Sequence, residues 1–162
     1  MNSRFVGGAV VLASFAFVFA CGSDAATDPQ VQSTTYVAVL NGSNEVPPRA
    51  TTATGTATYV LTGNALTFNV VVNGLTGPAT AAHIHVGSAA VAGGVIVGYV
   101  HAPIASGVIA SGTLDLTQTI VVGNSSVTAD SLRVLLNNGN AYTNVHTATY
   151  PGGEVRGQII KQ

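Results

Sequence analysis

The most regular pattern along the chain has a period of two. In Leu66-Thr67-Phe68-Asn69-Val70-Val71-Val72, the residues Leu66, Phe68, Val70 and Val72 share one face, and Thr67 and Asn69 share the other. Successive strand residues point to opposite faces, so this alternation predicts a strand buried on one side. Ala57, Tyr59 and Leu61 alternate in the same way with Thr56 and Thr58, and Gly63-Asn64 between the two runs predicts a tight hairpin. Further strands are predicted at 35–41, 80–86, 94–101, 107–116, 141–147 and 153–160, divided by Gly-, Pro- and Asn-rich breaks. Short strands at this spacing imply an all-β antiparallel sandwich or barrel of roughly seven to nine strands. One segment departs from the period. Residues 128–138 predict a short helix, with Thr128 as N-cap, Asp130 in its first turn, Gly139 as terminator and Leu132, Leu135 and Leu136 as its apolar stripe. The expected core includes Leu66, Phe68, Val70, Ile84, Val145, Val155 and Ile159.

The N-terminus has another character. Arg4 precedes an apolar run from Phe5 to Ala20 that is too short to span a bilayer comfortably. The run ends in Ala20-Cys21, a small residue before a cysteine, and polar Gly22-Ser23-Asp24 follows. This reads as a lipoprotein signal peptide over 1–20, lipidation at Cys21, a flexible tether over 21–33 and one domain over 34–162. The alternative is an ordinary signal peptide cut near Ala20 or Ala26, with Cys21 incidental. No aspartate directly follows Cys21, which directs the expectation toward the outer membrane of a bacterial envelope. The expected partners are the membrane, through the lipid, and an unidentified envelope or extracellular molecule. With a single cysteine, no disulfide can form within the chain. Charged residues make up 7% of the 162 residues and the formal net charge is −1. The usual charged share is about 25%. Without a basic patch, nucleic-acid binding by phosphate neutralisation is excluded.

The candidate chemistry lies on strand faces. In Ala82-His83-Ile84-His85-Val86, the two histidines project from one face, roughly 6.5–7 Å apart along the backbone, while Ile84 points to the core. In Asn144-Val145-His146, Val145 takes the core face and His146 the other. Glu154, Arg156 and Gln158 likewise oppose Val155 and Ile159. His83, His85 and His146 are candidate ligands for copper or zinc, with an affinity that falls below about pH 6.5 as imidazole protonates. The competing reading has the histidines hydrogen-bonded to Glu154, Asn144 or loop carbonyls, pinning loops over the sheet. His101, between an apolar strand and Ala102-Pro103, is a loop residue and the weakest ligand candidate. Glu45, in Asn41-Gly-Ser-Asn-Glu-Val-Pro-Pro48, sits in a rigid extended segment or a strand-ending turn, where Arg49 or Arg156 can pair with it. Glu45, Glu154 and Arg156 are therefore supporting residues. No nucleophile motif or phosphate-cradling glycine loop stands out, so catalytic residues are not assigned and the expected role is non-catalytic.

Three stretches resemble the CHRD domain, a module named from chordin. They are Asn41-Gly-Ser-Asn-Glu-Val-Pro-Pro48, Gly74-Leu-Thr-Gly-Pro-Ala-Thr-Ala-Ala-His-Ile-His-Val-Gly87 and the run from Tyr142 through Pro151-Gly-Gly-Glu-Val-Arg-Gly-Gln-Ile159. The resemblance implies a β-rich extracytoplasmic module without an established catalytic activity. A second resemblance, of Val70-Val-Val-Asn-Gly-Leu-Thr-Gly and the following His-Ile-His, is to copper–zinc superoxide dismutase. It implies a Greek-key sandwich, superoxide dismutase-like or immunoglobulin-like, with His83 and His85 at two copper-ligand positions and His146 at a later one. The chain departs from that family in lacking its long zinc-binding loop, its disulfide and a clear counterpart of its bridging histidine. Arg156 is not clearly its active-site arginine. The expected function is a non-catalytic binding or structural module, and the alternative is a copper- or zinc-binding protein with a histidine cluster related to that family, without dismutase activity.

Overall fold

Every strand pairing in the domain is antiparallel. The structure, a computed structural model, describes residues 32–162, so the expected signal peptide, Cys21 and nearly all of the tether lie outside the described residues. The strands are β1 (Ser33–Asn41), β2 (Thr54–Thr62), β3 (Ala65–Asn73), β4 (Ala79–Val86), β5 (Val95–Gly98), β6 (Gly107–Asp115), β7 (Ile120–Val122), β8 (Ser125–Val127), β9 (Ala141–Thr147), β10 (Val155–Gln158) and β11 (Ile160–Lys161). One helix, α1, spans Ala129–Asn137. A nine-stranded sheet runs in the order β5-β4-β9-β10-β1-β2-β3-β6, with β11 also pairing β1, and β7-β8 forms a separate ribbon.

The long sheet curls so that its two halves face each other as a sandwich. On the inner face, the Tyr59 hydroxyl of β2 lies 2.6 Å from both Tyr99 Oη and Thr143 Oγ1 of β9. Phe68 of β3 stacks on the Tyr99 ring at 4.7 Å. The β3–β4 and β5–β6 connections pass from one half to the other, the long returns of a Greek key. All seven expected core residues are buried. The Tyr59 hydroxyl network sits in this apolar interior, where an unpaired hydroxyl costs about 1–3 kcal/mol. Tyr59→Phe deprives both Tyr99 and Thr143 of a partner. It is expected to lower unfolding stability by about 1–3 kcal/mol in a urea titration, whereas a loss within 0.5 kcal/mol would contradict the network's role.

Local signals set most boundaries. Gly63-Asn64 is the turn of the β2–β3 hairpin, and Gly63 has φ +57°, a value that favours glycine. Thr128 Oγ1 accepts from Ser131 N and starts α1, and Gly139 follows its end with φ +65°. Leu132 and Leu136 are fully buried, while Leu135 is partly buried against the core. Three details differ from the expectation. The last predicted strand breaks into β10 and β11 around Ile159, whose N–H bonds back to Ala141 O. The β7–β8 ribbon comes from runs of three residues, too short to show a period. After β1 the chain turns through a 3₁₀ turn at Gly42–Asn44 before the prolines, and Asn44 Nδ2 ties that turn to Val39 O and Arg156 O.

Candidate metal centre

Strand register brings the histidines together. β4 and β9 are neighbours, with Ala81 opposite His146, His83 opposite Asn144 and His85 opposite Tyr142. His146 is therefore one diagonal step from His83, within reach of a long side chain. All three lie on the outer face, opposite Ile84 and Val145, which are fully buried inside. One ring nitrogen from each histidine can be chosen so that the three lie within 4.8 Å of one another. His85 is buried, and His83 and His146 are partly buried.

Hydrogen bonds decide which nitrogens face inward. His85 Nδ1 lies 3.0 Å from Gly93 O and His146 Nδ1 lies 3.0 Å from Pro151 O. A carbonyl only accepts, so both Nδ1 atoms carry the proton, and each Nε2 keeps a lone pair. His146 Nε2 is 3.1 Å from His83 Nδ1. His85 Nε2 is buried without a hydrogen-bond partner. A carbonyl holding Nδ1–H while Nε2 stays free is the arrangement that orients metal-binding imidazoles. Two ligands at 2.0 Å in tetrahedral geometry stand ~3.3 Å apart, close to the His83–His146 separation.

The rings are held from behind. The His85 ring stacks on Tyr142 at 4.9 Å with 10° between planes, and the Arg156 guanidinium lies 3.4 Å from the Tyr142 ring centroid. Arg156 is 2% exposed, and its Nη2 donates to Ser88 O and Val91 O, so it also fastens the 87–94 loop that supplies Gly93. Asn144 Nδ2 donates to the Glu45 carboxylate from the same sheet face. Gly153 packs against this pair. A side chain there would meet Asn144 and Glu45, and its φ of +119° favours glycine.

The supporting residues divide. Glu45 contacts Asn144 rather than forming the paired bridge considered for Arg49 or Arg156, although both guanidiniums act on it through space. Glu154 does not hold a histidine. Its buried carboxylate accepts from Thr51 Oγ1, Thr147 Oγ1, and Thr76 N and Oγ1, clamping three segments together. His101 lies outside the three-histidine group. Tyr142, Gly93 and Pro151 complete the site beyond the residues expected from sequence. Tyr142 is legible in the sequence, because four residues from His146 on one strand is the same face.

Burial lowers the pKa of all three histidines, and His83 falls to about 4 with the added repulsion of His146, His85 and His101. Gly93 O and Pro151 O partly offset the shifts of His85 and His146. The native imidazoles thus stay neutral where unfolded ones, at about 6.5, begin to protonate. The unfolded chain binds more protons in that window, so stability is fully present above about 6.5 and is lost as pH falls toward about 4. Glu45 acts oppositely. Burial, opposed by Arg156 and Arg49, raises it to about 7, so its contribution is lost as pH rises through that value. The urea midpoint of metal-free protein is expected to fall more steeply between pH 6.5 and 4 than that of His83→Ala, where the Glu45 contribution is common to both. Equal slopes would contradict the assignment. The same shifts move proton competition for a metal below the onset near pH 6.5 expected from free imidazole.

Comparison with curated proteins and with solved structures finds no significant match. The family model for the CHRD domain matches residues 36–159, which takes in most of β1, the paired histidines of β4, His146 and Arg156. The chain therefore belongs to the CHRD domain family, and at the family level it is a binding or structural module.

Proposed function

We propose that this chain is a non-catalytic binding module held outside the cytoplasm by a lipid on Cys21, and that its ligand is a copper or zinc ion held by His83, His85 and His146. The observation that carries the reading is the buried, unpartnered Nε2 of His85, beside a His146 Nε2 whose ring is locked by Pro151 O. A purely structural cluster has every imidazole nitrogen satisfied, and an orphaned buried acceptor costs about 1–3 kcal/mol. A bound cation offsets that cost and gives three neutral nitrogens one common partner. Copper(II) is the first choice, since imidazole suits it and it tops the divalent affinity order. Calorimetric titration of metal-free protein at pH 7 is expected to show one Cu(II) per chain, bound more tightly than Zn(II). Absence of saturable binding for both ions would overturn the reading.

The anchor rests on Ala20-Cys21 and the polar residues after it. The outer membrane is the proposed site because no aspartate directly follows Cys21. Globomycin, which blocks the lipoprotein signal peptidase, is expected to make the uncleaved precursor accumulate in a bacterial host, and Cys21→Ser is expected to abolish lipid labelling. Normal processing under the inhibitor, or a mature form without lipid, would overturn this part alone.

A further inference from the structure

The polar face that carries the histidines continues onto β10, where loops leave a cavity of about 240 Å³ lined by Ser43, Asn44, Glu45, Ala89, Arg156 and Gln158 among others. Its floor is built from buried polar groups. Glu45 is 5% exposed and Arg156 is 2% exposed. The Glu45 carboxylate accepts from Asn144 Nδ2 and from the backbone N–H of Val46. Arg156 Nη2 serves two loop carbonyls, while Nε and Nη1 have no acceptor among the described residues. Gln158 is fixed by three bonds from Nε2, to Gly87 O, Gly139 O and Ala141 O, which leaves its buried Oε1 without a partner.

We propose that this cavity is a second binding site, taking one ring of a neutral polyhydroxyl ligand such as a pyranose sugar. A guanidinium and a carboxylate line the same small space, so a simple anion meets Glu45 and a simple cation meets Arg156. A hydroxyl donates and accepts at once, and neighbouring hydroxyls on a ring can accept from Arg156 while donating to Glu45 and toward Gln158. Such a ligand supplies a partner to the buried Gln158 Oε1 and further acceptors to Arg156 without bringing a charge of its own into the pocket. The size agrees. At ~30 Å³ per water the cavity holds about eight waters, the bulk of one sugar ring and less than the 300 Å³ or more of drug-sized sites. Burial raises the Glu45 carboxyl to about 7, which weakens its hold on an ammonium group and further disfavours an amino-acid ligand.

The test is a ¹⁵N–¹H titration of the mature chain with D-glucose, D-galactose and N-acetyl-D-glucosamine, beside glycine and acetate. At least one sugar is expected to give saturable millimolar shifts at the Gln158 side-chain amide and at backbone amides of 43–46 and 88–91. Ala89→Trp and Ser43→Trp, at exposed rim positions, are expected to weaken that binding at least tenfold with the rest of the spectrum preserved. Glu45→Gln, which can still accept from Asn144, is expected to weaken it as well. Saturation by glycine or acetate but by no sugar would overturn the assignment. So would sugar shifts insensitive to all three variants, or no saturable shift with any probe. The zinc titration separates failure of this pocket from failure of the histidine centre.

Discussion

The His83→Ala/His85→Ala double variant is expected to lose stoichiometric copper and zinc binding altogether. It removes two of three converging nitrogens and leaves His146 alone on β9, with Nδ1 still tied to Pro151 O. One imidazole on a surface gives no chelate, so residual affinity should match that of any exposed histidine. The apo fold should survive. Both side chains project from the outer face, and removal of His85 also removes the unpaired Nε2. Circular dichroism and the urea midpoint at pH 7 serve as the check. His101→Ala is the matched control, with binding expected unchanged. Wild type and double variant binding metal equally weakly would remove the metal centre and leave the domain as a structural or protein-binding module.

Phe68→Ala should produce the largest loss of stability, about 3–5 kcal/mol, combining lost transfer energy with the cavity left behind. Its ring bridges the two halves of the sandwich. It is 8% exposed, stacks on Tyr99, and lies opposite Gly112, where a side chain would come within 3.1 Å of the ring. Glycine at 112 leaves the space that the ring fills. Thr67→Ala, one residue away on the outer face, is the control and should change stability by no more than about 0.5 kcal/mol. Similar losses for the two variants in urea would contradict the assignment of faces.

Period-two reading worked where a strand separates apolar from polar side chains. It identified the inner face of β3, the common face of His83 and His85, and the opposed sides of Val145 and His146. It carried no information on which strands are neighbours. That β4 lies beside β9, and β9 beside β10, is a property of the whole sheet, and no local spacing encodes it. The contacts that finish the candidate site are non-local for the same reason. Asn144 meets Glu45 across 99 residues of sequence, and Arg156 reaches the Ser88 carbonyl across 68. Glu154 shows the limit most plainly. Alternation about Val155 placed it with the histidines, yet it stands just before β10 begins, where the strand rule does not govern its direction. Threonines from three separate segments claim its carboxylate instead. β7 and β8, three residues each, gave a periodic reading too little to work with.

The central claim is that the fixed lone pairs of His85 Nε2 and His146 Nε2 and, once its proton moves from Nδ1 to Nε2, that of His83 Nδ1 meet on one ion, and histidine ring tautomers report on it most directly. Long-range ¹⁵N–¹H spectra of metal-free protein should show His85 and His146 protonated at Nδ1, as their bonds to Gly93 O and Pro151 O require. One equivalent of zinc should then move Nε2 of both residues and Nδ1 of His83 to metal-bound shifts, with His101 unchanged. Nε2-protonated tautomers at His85 and His146, or ring nitrogens that zinc leaves in place, would contradict the account.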